Sequence, residues 1–308
     1  MRRTTRAPRG RDVVTVILVV GATRTLGGEI CRLLTQRAKP VRALVRNTSN
    51  PERVAGLKGS GAGPVRGDLK DRASLDAACR GASAVISTAS STVSRQEGDS
   101  IESVDRQGQL ALIDAAAAAG VKRFILVSFP SVELDFPLQS AKRAVEERLR
   151  RSGMSYTILR PTFFTEVWLS PALGFDAPSA KAQIYGGGQN QISWISFQDV
   201  AQFAVAALDN AAAKNAVIDL GGPEALSPLD VVRLAEQVTR KRFAEQHVPE
   251  EALRAQYAGA TDPLQQSFAA LMLYYARGDV IDMQATLRAF PGQRLKSVRA
   301  YFEASTGA

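Results

Sequence analysis

The residues with the clearest chemical potential lie in a glycine-rich turn near the start of the chain. The segment VILVVGATRTLGGEI places Gly21 directly after an apolar run and Gly27 at the start of a helical pattern. A strand–turn–helix of this kind points backbone N–H groups and the positive end of a helix toward a phosphate. The turn therefore predicts a dinucleotide site, with a turn that binds nothing as the alternative. The candidate contacts are Gly21, Thr23, Arg24, Leu26 and Gly27.

The end of the second predicted strand carries a cation where NAD sites carry an acid. In such sites an acidic residue about 20 residues beyond the turn binds the ribose 2′-hydroxyl. Here the segment VRALVRN places Arg46 at that point, and no carboxylate follows until Glu52. A cationic side chain favours the 2′-phosphate of NADP over the hydroxyl of NAD. A solvated surface charge is the alternative interpretation of Arg46.

A hydroxyl group ends the fifth predicted strand, where the segment FILVS closes with Ser128. Ligands of open parallel sheets bind at the carboxyl ends of the strands, so this hydroxyl could reach a substrate carbonyl. Ser128 is therefore a candidate catalytic donor. The alternative is that it only caps the following loop.

These candidates need a scaffold of alternating strands and helices, and the first 160 residues predict one. Continuous apolar runs are typical of parallel strands that are covered on both faces. Helical patterns separate them, and one such helix follows the capping residue Asp71. This alternation predicts a parallel sheet with right-handed crossovers. The predicted strands are Val13–Val20, Val41–Val45, Pro64–Arg66, Ala84–Ser87, Phe124–Ser128 and Tyr156–Leu159.

The second half of the chain is less regular. It predicts a helix over Phe197–Leu208, a strand over Ala216–Leu220 and mostly helical segments after Ser227. The predicted fold class is α/β, a Rossmann-type doubly wound parallel sheet with a smaller, mostly helical substrate lobe. The predicted parts are a basic arm over 1–12, a dinucleotide-binding domain over 13–160 plus 197–221, and a substrate lobe over 161–196 plus 222–308.

Composition and charge exclude several classes of protein. The 308 residues include 39 Lys and Arg against 30 Asp and Glu, a net charge of +9. Five arginines and one aspartate within residues 1–12 supply +4 of it, so the rest of the chain has no large excess. With only 6% aromatic residues, we expect no nucleic-acid partner. No run approaches the roughly 20 apolar residues of a membrane span, and we expect a cytoplasmic protein.

Two cysteines and one histidine exclude two further kinds of site. Cys31 and Cys79 have no CxxC spacing and are expected to be buried free thiols. A structural zinc site needs more ligands than this chain offers, so no metal is predicted. The single histidine, His247, lies in the polar run EQHV and does not favour a Ser-His-Asp triad.

Five segments taken together resemble one family. GATRTLG, RALVRN, GDL, GVKRFILVS and SGMSYTILRPTFF are similar to the NmrA-like group of atypical short-chain dehydrogenases, over about Val14 to Val298. That group includes isoflavone-reductase-like enzymes, quinone and dye reductases, and cofactor-sensing regulators. The resemblance implies a Rossmann fold with a small substrate lobe and a site for NADP(H). Dimers are common for such folds, so a homodimer is compatible with it.

The glycine-rich turn departs from the family pattern at one position. The family turn reads GxxGxxG, and Arg24 replaces the middle glycine here. That glycine normally lets the backbone approach the phosphates, so a long side chain could obstruct the cofactor. The guanidinium could instead bind a phosphate, because arginine suits phosphate bidentately. We expect retained binding of NADP(H) rather than lost binding.

The resemblance also suggests a role for one lysine. Many short-chain dehydrogenases carry Tyr-xxx-Lys on the helix after the fifth strand, and this chain has Leu138 and Lys142 there. The family commonly keeps only the lysine, with a glutamate four residues later, which is Glu146 here. Lys142 is predicted to hold the cofactor ribose and to stabilise an oxyanion. A surface i,i+4 pair with Glu146 is the alternative.

Further cofactor contacts follow from the same resemblance. Asp68 in GDL matches the family residue on the adenine side, and a turn cap is its alternative. Thr88, Ala89 and Ser90 match the segment along the ribose.

The segment LRPTFF matches the loop that closes over the nicotinamide, through Pro161 and Phe163. Of Phe163 and Phe164, one is expected in the core and the other over the ring. Tyr274 is expected in the core of the lobe or in the pocket wall.

These residues favour an NADPH-dependent oxidoreductase that reduces a quinone, an enone or a similar small conjugated molecule. The alternative is a non-catalytic NADP(H)-sensing regulator or assembly factor with a protein partner. Arg24 and the missing tyrosine favour that second hypothesis.

Overall fold

The structure, a computed structural model, describes residues 15–92 and 96–306. The predicted basic arm and the first residues of the predicted first strand lie outside these ranges. The strands in chain order are β1 Val16–Val20, β2 Val41–Val45, β3 Gly63–Arg66, β4 Ala82–Ser87, β5 Arg123–Val127, β6 Ser155–Pro161, β7 Phe175–Asp176, β8 Lys181–Tyr185, β9 Ala216–Leu220 and β10 Ala244–Val248.

The helices follow the strands of the main sheet and build most of the second half. They are α1 Thr25–Gln36, α2 Pro51–Gly59, α3 Arg72–Cys79, α4 Gln109–Ala118, α5 Pro137–Arg150, α6 Thr165–Trp168, α7 Phe197–Ala206, α8 Pro228–Thr239, α9 Glu250–Gly259, α10 Pro263–Arg277, α11 Gln284–Ala289 and α12 Val298–Thr306. A π-helical segment, Ile101–Gly108, leads directly into α4. Two short 3-10 turns lie at Pro171–Leu173 and Ala211–Ala213.

The main sheet of the described chain contains seven strands in the order β3-β2-β1-β4-β5-β6-β9, and every neighbouring pair is parallel. This is the Rossmann strand order, extended by one strand. The order reverses between β1 and β4, so their carboxyl ends border the crevice in which such sheets bind ligands. The predicted fold class is confirmed.

Local signals explain the elements that were predicted well. The run VILVV is buried because α-helices cover both faces of the sheet. The Asp71 side chain accepts from the backbone N–H groups of Ala73 and Ser74 at the start of α3. Ser227 and Asp230 form a reciprocal capping box at the start of α8.

The smaller lobe contains a sheet that the sequence did not predict. Strands β10, β8 and β7 form it, with β10 parallel and β7 antiparallel to the central β8. Strand β10 is mostly exposed, so it has no apolar alternation that would mark a strand. Helix α2 was also missed, because Leu57 is its one fully buried residue and the apolar stripe is weak.

Four apolar clusters account for the packing of the described residues. Two lie on opposite faces of the main sheet, the third fills the lobe around Phe163 and Trp194, and a small fourth joins α5 to α10 through Leu138 and Ala270. Met283 and Phe290 come after the predicted boundary at residue 221 but pack into the first of the sheet clusters. The domain limits themselves stay a prediction.

The two cysteines are free and buried, as expected. Burial raises the pKa of Cys31 to about 12 and that of Cys79 to about 11, so both remain neutral thiols near pH 7. Within the described ranges, no helix has the length and apolar character needed to cross a membrane.

Candidate functional site

The glycine-rich turn holds β1 and α1 closer together than side chains would allow. Gly21 has φ +88°, and a Cβ on it would lie 2.6 Å from Thr88 Oγ1. A Cβ on Gly27 would lie 2.3 Å from the carbonyl oxygen of Gly21. Both positions therefore require glycine, because neighbouring backbone and side-chain atoms lie too close for a Cβ. We call Gly21 and Gly27, at the N-terminus of α1, the glycine cradle.

The middle position of the turn does not require glycine. Arg24 is the N-cap of α1 with extended backbone, φ −99° and ψ 163°, which any residue adopts. No side chain caps this helix N-terminus. The Arg24 side chain lines a cavity of about 460 Å³. Burial lowers the pKa of Arg24, and the charges of Arg53 and Arg46 lower it further. Three guanidinium groups therefore lie in one region.

Arg53 is a member of this cationic group that sequence reasoning missed. It lies on α2 and lines the same cavity, and its Nη1 donates to the carbonyl oxygen of Thr23 at 2.8 Å. Asn50 caps α2 through the backbone N–H groups of Glu52 and Arg53, and this fixes the direction of the helix. An Asn-Pro helix start within seven residues of Arg46 was the available signal.

Arg46 is close to the cationic group but already has an acidic partner. Its Nη1 lies 2.6 Å from Asp99 Oδ2, and Lys70 Nζ lies 2.8 Å from the other oxygen. Burial alone would raise the pKa of Asp99, but hydrogen bonds from Lys70 and Arg46 lower it to about 2. Part of the Arg46 charge is therefore compensated within the protein, and its contact with a 2′-phosphate stays a prediction.

The loop after β4 passes beside the turn. Thr88 Oγ1 donates to the carbonyl oxygen of Val20 at 3.2 Å, and Ser90 Oγ lies 3.0 Å from Thr92 Oγ1. Asp68 forms a local turn, since its Oδ1 accepts from the backbone N–H of Lys70 at 2.9 Å. Its predicted adenine contact is not tested by this geometry.

Lys142 is buried and has an unexpected partner. Its side chain is only 7% exposed, and its Nζ lies 3.1 Å from Oδ1 of the fully buried Asp105. Glu146, four residues later on α5, pairs elsewhere. The interpretation of Lys142 and Glu146 as a surface pair is therefore wrong, and the lysine lines the cavity.

Ser128 also lines the cavity, but its hydroxyl is engaged. Its Oγ donates to Oε1 of Glu146 at 2.7 Å, and Arg160 binds the same carboxylate through Nε at 3.1 Å and Nη2 at 2.5 Å. Burial acts to raise the pKa of Glu146, but hydrogen bonds from Arg160 and Ser128 and the charge of Arg143 outweigh it and hold this pKa low. Ser128 is thus bound to an ionised carboxylate.

Aromatic rings enclose the far end of the cavity. Phe163 is 4% exposed, and its ring centroid lies 4.9 Å from those of Trp168 and Tyr274. Phe164 is partly buried and packs on Phe197 at 4.5 Å. Phe163 is thus the core member of the pair, while both rings line the cavity. Tyr274 forms pocket wall, and its pKa is raised by burial and by the nearby Asp279 carboxylate.

Glu166 is a further cavity residue that sequence reasoning missed. It is the second residue of the short helix α6, and both of its carboxylate oxygens accept from the backbone N–H of Phe197, at 3.1 and 3.0 Å. Burial raises its pKa. Because Phe197 begins α7, Glu166 joins the lobe to the main domain at the cavity wall. A lone glutamate in the segment TEVW offers no signal for this contact.

One cavity of about 460 Å³ connects these groups. Its wall contains eight of the predicted residues, Arg24, Leu26, Thr88, Ser90, Ser128, Lys142, Pro161 and Phe163. Gly21 and Gly27 form the adjacent cradle, and Thr23, Arg46, Asp68 and Ala89 are not part of the wall. The glycine cradle, the cations at the helix N-terminus and the buried lysine fit a phosphorylated dinucleotide. Among the described residues, no cluster of three or more His, Cys, Asp or Glu could hold a metal ion.

Comparisons with known proteins give one consistent result. The model of the NmrA-like family matches residues 14–289. An NAD(P)H azoreductase of Xenophilus azovorans is 33% identical over 70% of this chain and 71% of its own length. An isoflavone reductase homologue of Zea mays is 32% identical, over 85% and 87%. A photosystem II assembly factor of Trieres chinensis is 31% identical, over 76% and 72%.

A solved structure supports the fold. The NADPH complex of a quinone oxidoreductase from Escherichia coli superimposes with a TM-score of 0.75 at 23% identity, over 94% of this chain and 99% of that one. At this identity the likeness concerns the fold alone.

Proposed function

Because this chain belongs to the NmrA-like family, we propose that it is an NADPH-dependent reductase of a small conjugated molecule, such as a quinone or an enone. It would thus be an atypical short-chain dehydrogenase. One observation carries the proposal: a single cavity has cations and a helix N-terminus at one end and aromatic rings at the other. Phosphates suit the first end, and a planar apolar acceptor suits the second. The azoreductase among the relatives acts with NAD(P)H, as its name states.

The preference for NADP(H) over NAD(H) is part of the proposal. Arg24 and Arg53 line the cavity beside the N-terminus of α1, and Arg46 is the first residue after β2. No acidic residue follows β2 directly to bind a 2′-hydroxyl. The cations at this end therefore favour a cofactor with an additional phosphate.

The chain's own residues would contribute positioning and charge. A bound NADPH supplies the hydride. The Lys142 ammonium would stabilise negative charge that develops on the acceptor oxygen, because a buried cation acts strongly where water is excluded. Ser128 donates to Glu146 and its oxygen accepts from Arg143 Nη2 at 3.4 Å, so it would contribute to the polarity of the cavity wall and not donate its proton to the acceptor. Phe163 and Tyr274 would hold the acceptor flat and exclude water.

The proposal is tested by following NADPH oxidation with a panel of quinones, enones and azo dyes. We expect turnover with at least one acceptor and a loss of about 10²-fold or more in kcat for Lys142→Ala. Lys122→Ala is the matched control, because Lys122 lies outside the cavity wall. Cofactor binding is measured separately by NADPH fluorescence. Tight binding without turnover on any acceptor would contradict the proposal.

A second candidate function is a cofactor-binding assembly factor or regulator. Two observations favour it: Leu138 occupies the position of the usual tyrosine, and the Ser128 proton is engaged by Glu146. A relative named as a photosystem II assembly factor belongs to the same set of matches. Retrieval of one protein partner that depends on NADPH, together with absent turnover, would support this function.

Two expectations about the whole protein accompany the proposal. We propose a cytoplasmic location and a homodimer. Fractionation of the native source would test the location. Light scattering of the purified protein would test the dimer, since a monomer at micromolar concentration would contradict it.

A further inference from the structure

Asp105 and Lys142 form a buried ion pair at the cavity wall. The two side chains are 0% and 7% exposed, and Oδ1 lies 3.1 Å from Nζ. Oδ1 receives no hydrogen bond of normal geometry, so the nearby ammonium is its electrostatic compensation. A buried charge without a partner is strongly unfavourable. The pair therefore compensates two buried charges within the protein.

The second oxygen of Asp105 fixes the carboxylate to the loop after β4. Oδ2 accepts from the backbone N–H of Ser91 at 3.0 Å and from its hydroxyl at 2.6 Å. Ser91 directly follows Ser90, which lines the cavity, whereas Asp105 and Ser91 do not. The carboxylate thus lies behind the cavity wall and connects the lysine with the loop beside the glycine cradle.

The backbone presents Asp105 on the π-helical segment Ile101–Gly108. Such segments are rare and occur frequently at functional sites. Gly108 permits close packing here, because a Cβ on it would lie 2.7 Å from Leu69 Cβ. We propose that Asp105 is a positioning residue that holds the Lys142 ammonium at the cavity wall and keeps it protonated. The kinetic part of this inference rests on the proposed reductase function.

The other charged groups around α5 have different partners, since Arg148 pairs with Asp114 and Arg151 with Glu147. Arg143, Arg150 and Arg160 all contact Glu146, on the side of Ser128. Asp105 is the carboxylate within 4 Å of Lys142 Nζ in the described part of the chain. Replacing Asp105 by asparagine leaves a buried ammonium without its counter-charge, which favours the neutral amine. Lys142 should then lose its proton at lower pH in the variant than in the wild type.

The first experiment is a kinetic double-mutant cycle. We expect Asp105→Asn to lower kcat about tenfold or more and to raise the KM for NADPH less than threefold, because the charge matters most where an oxyanion develops. In the background of Lys142→Ala, Asp105→Asn should have no further effect on kcat. Asp76→Asn, at an exposed pair with Arg72, is the control. Equal effects of Asp105→Asn in both backgrounds would overturn the proposal.

The second experiment needs no turnover. Growth on ¹³C-labelled lysine labels the lysines, and Lys142→Arg identifies the signal of Lys142 by its absence. We expect that signal to titrate at lower pH in Asp105→Asn than in the wild type. An unchanged titration would overturn the proposal even if no acceptor is found. Absent turnover with a shifted titration would contradict the reductase function alone.

Ser91→Ala is a milder variant that keeps the proposal testable if Asp105→Asn does not fold. It removes the hydroxyl donor to Asp105 Oδ2 but leaves both charges in place. We expect a two- to fivefold lower kcat, with the Lys142 signal titrating as in the wild type. If Ser91→Ala shifts the titration as much as Asp105→Asn does, the hydrogen-bonded loop determines the charge, and the role of Asp105 is overturned.

Discussion

The two ends of the cavity are built in opposite ways. At the nucleotide end, Gly21, Arg24 and Gly27 are close in sequence, and the backbone itself forms the cradle. At the aromatic end, Phe163 and Trp168 meet Tyr274 of α10, which lies more than a hundred residues away in sequence, and side chains fill the space. A Cβ at Gly21 or Gly27 would collide with neighbouring atoms, whereas the loss of a ring at the aromatic end would leave a cavity in the lobe core.

This difference has an energetic consequence. Adding a Cβ where two backbone segments lie close together strains the structure, whereas removing volume from a packed core lowers the free energy of unfolding by leaving a cavity. The charged side chains of the nucleotide end contribute to ligand affinity more than to folding, since they remain partly hydrated. Substitutions at the two ends should therefore separate stability from cofactor binding.

The largest expected effect is at the aromatic end. Phe163→Ala should lower the free energy of unfolding by about 3–5 kcal/mol, because the ring contacts four others in the lobe core. Urea unfolding measures this change. Phe164→Ala is the matched control and should cost less, since Phe164 is only partly buried. Equal losses for the two variants would contradict the assignment of Phe163 to the core.

At the nucleotide end, Gly27→Ala tests the backbone cradle. The added Cβ would lie 2.3 Å from the Gly21 carbonyl oxygen, so we expect about 1–3 kcal/mol lower stability and a large loss of NADPH affinity. Urea unfolding and NADPH fluorescence measure the two effects. Gly28→Ala is the control, since its Cβ would lie 3.4 Å from the nearest atom. Unchanged NADPH binding by Gly27→Ala would refute the cradle.

The cations should affect binding without affecting folding. Arg24→Ala and Arg53→Ala should each raise the Kd for NADPH about tenfold or more, because a hydrogen bond to a charged group contributes about 1.5–3 kcal/mol. Arg46→Ala should have a smaller effect, since Asp99 already compensates part of its charge. Arg32→Ala, at an exposed pair with Glu29, is the control. A larger effect of Arg46→Ala than of Arg53→Ala would reverse this ranking.

The smallest expected effect is the acid dependence of stability at Asp99. Hydrogen bonds from Lys70 and Arg46 outweigh burial and lower its pKa to about 2, below the value near 3.9 expected in an unfolded chain. The stability from this group is present above about pH 4 and is lost as pH falls toward 2. Asp99→Asn should therefore differ from the wild type at pH 6 and converge with it near pH 2, as measured by urea unfolding. A difference that is constant with pH would contradict the pairing.

Local signals made the nucleotide end predictable. The apolar run of β1, the glycine positions and the cap at Asp71 all act over a few residues, and the structure has each of them. Arg53 was missed although it lies only seven residues from Arg46. Its helix buries little, so the sequence lacks the periodicity by which helices are predicted.

The aromatic end and the charge partners were less predictable because their contacts join distant residues. Tyr274 meets Phe163 across more than a hundred residues, and β10 pairs with β8 without any apolar alternation of its own. No spacing rule connects such positions. The sequence could show that aromatic residues were present but not which of them share a wall.

The amino-acid sequence by itself determined the parallel sheet and the glycine-rich turn, since strand periodicity, helix caps and turn chemistry are local properties. The family resemblance, and not a local rule, singled out the lysine on α5. Only the tertiary structure decided which charge meets which. Glu146, four residues from Lys142, binds Ser128 and Arg160, while the lysine pairs with Asp105 from the π-helical segment. Burial makes an unpaired charge costly, and packing selects the partner that can reach it.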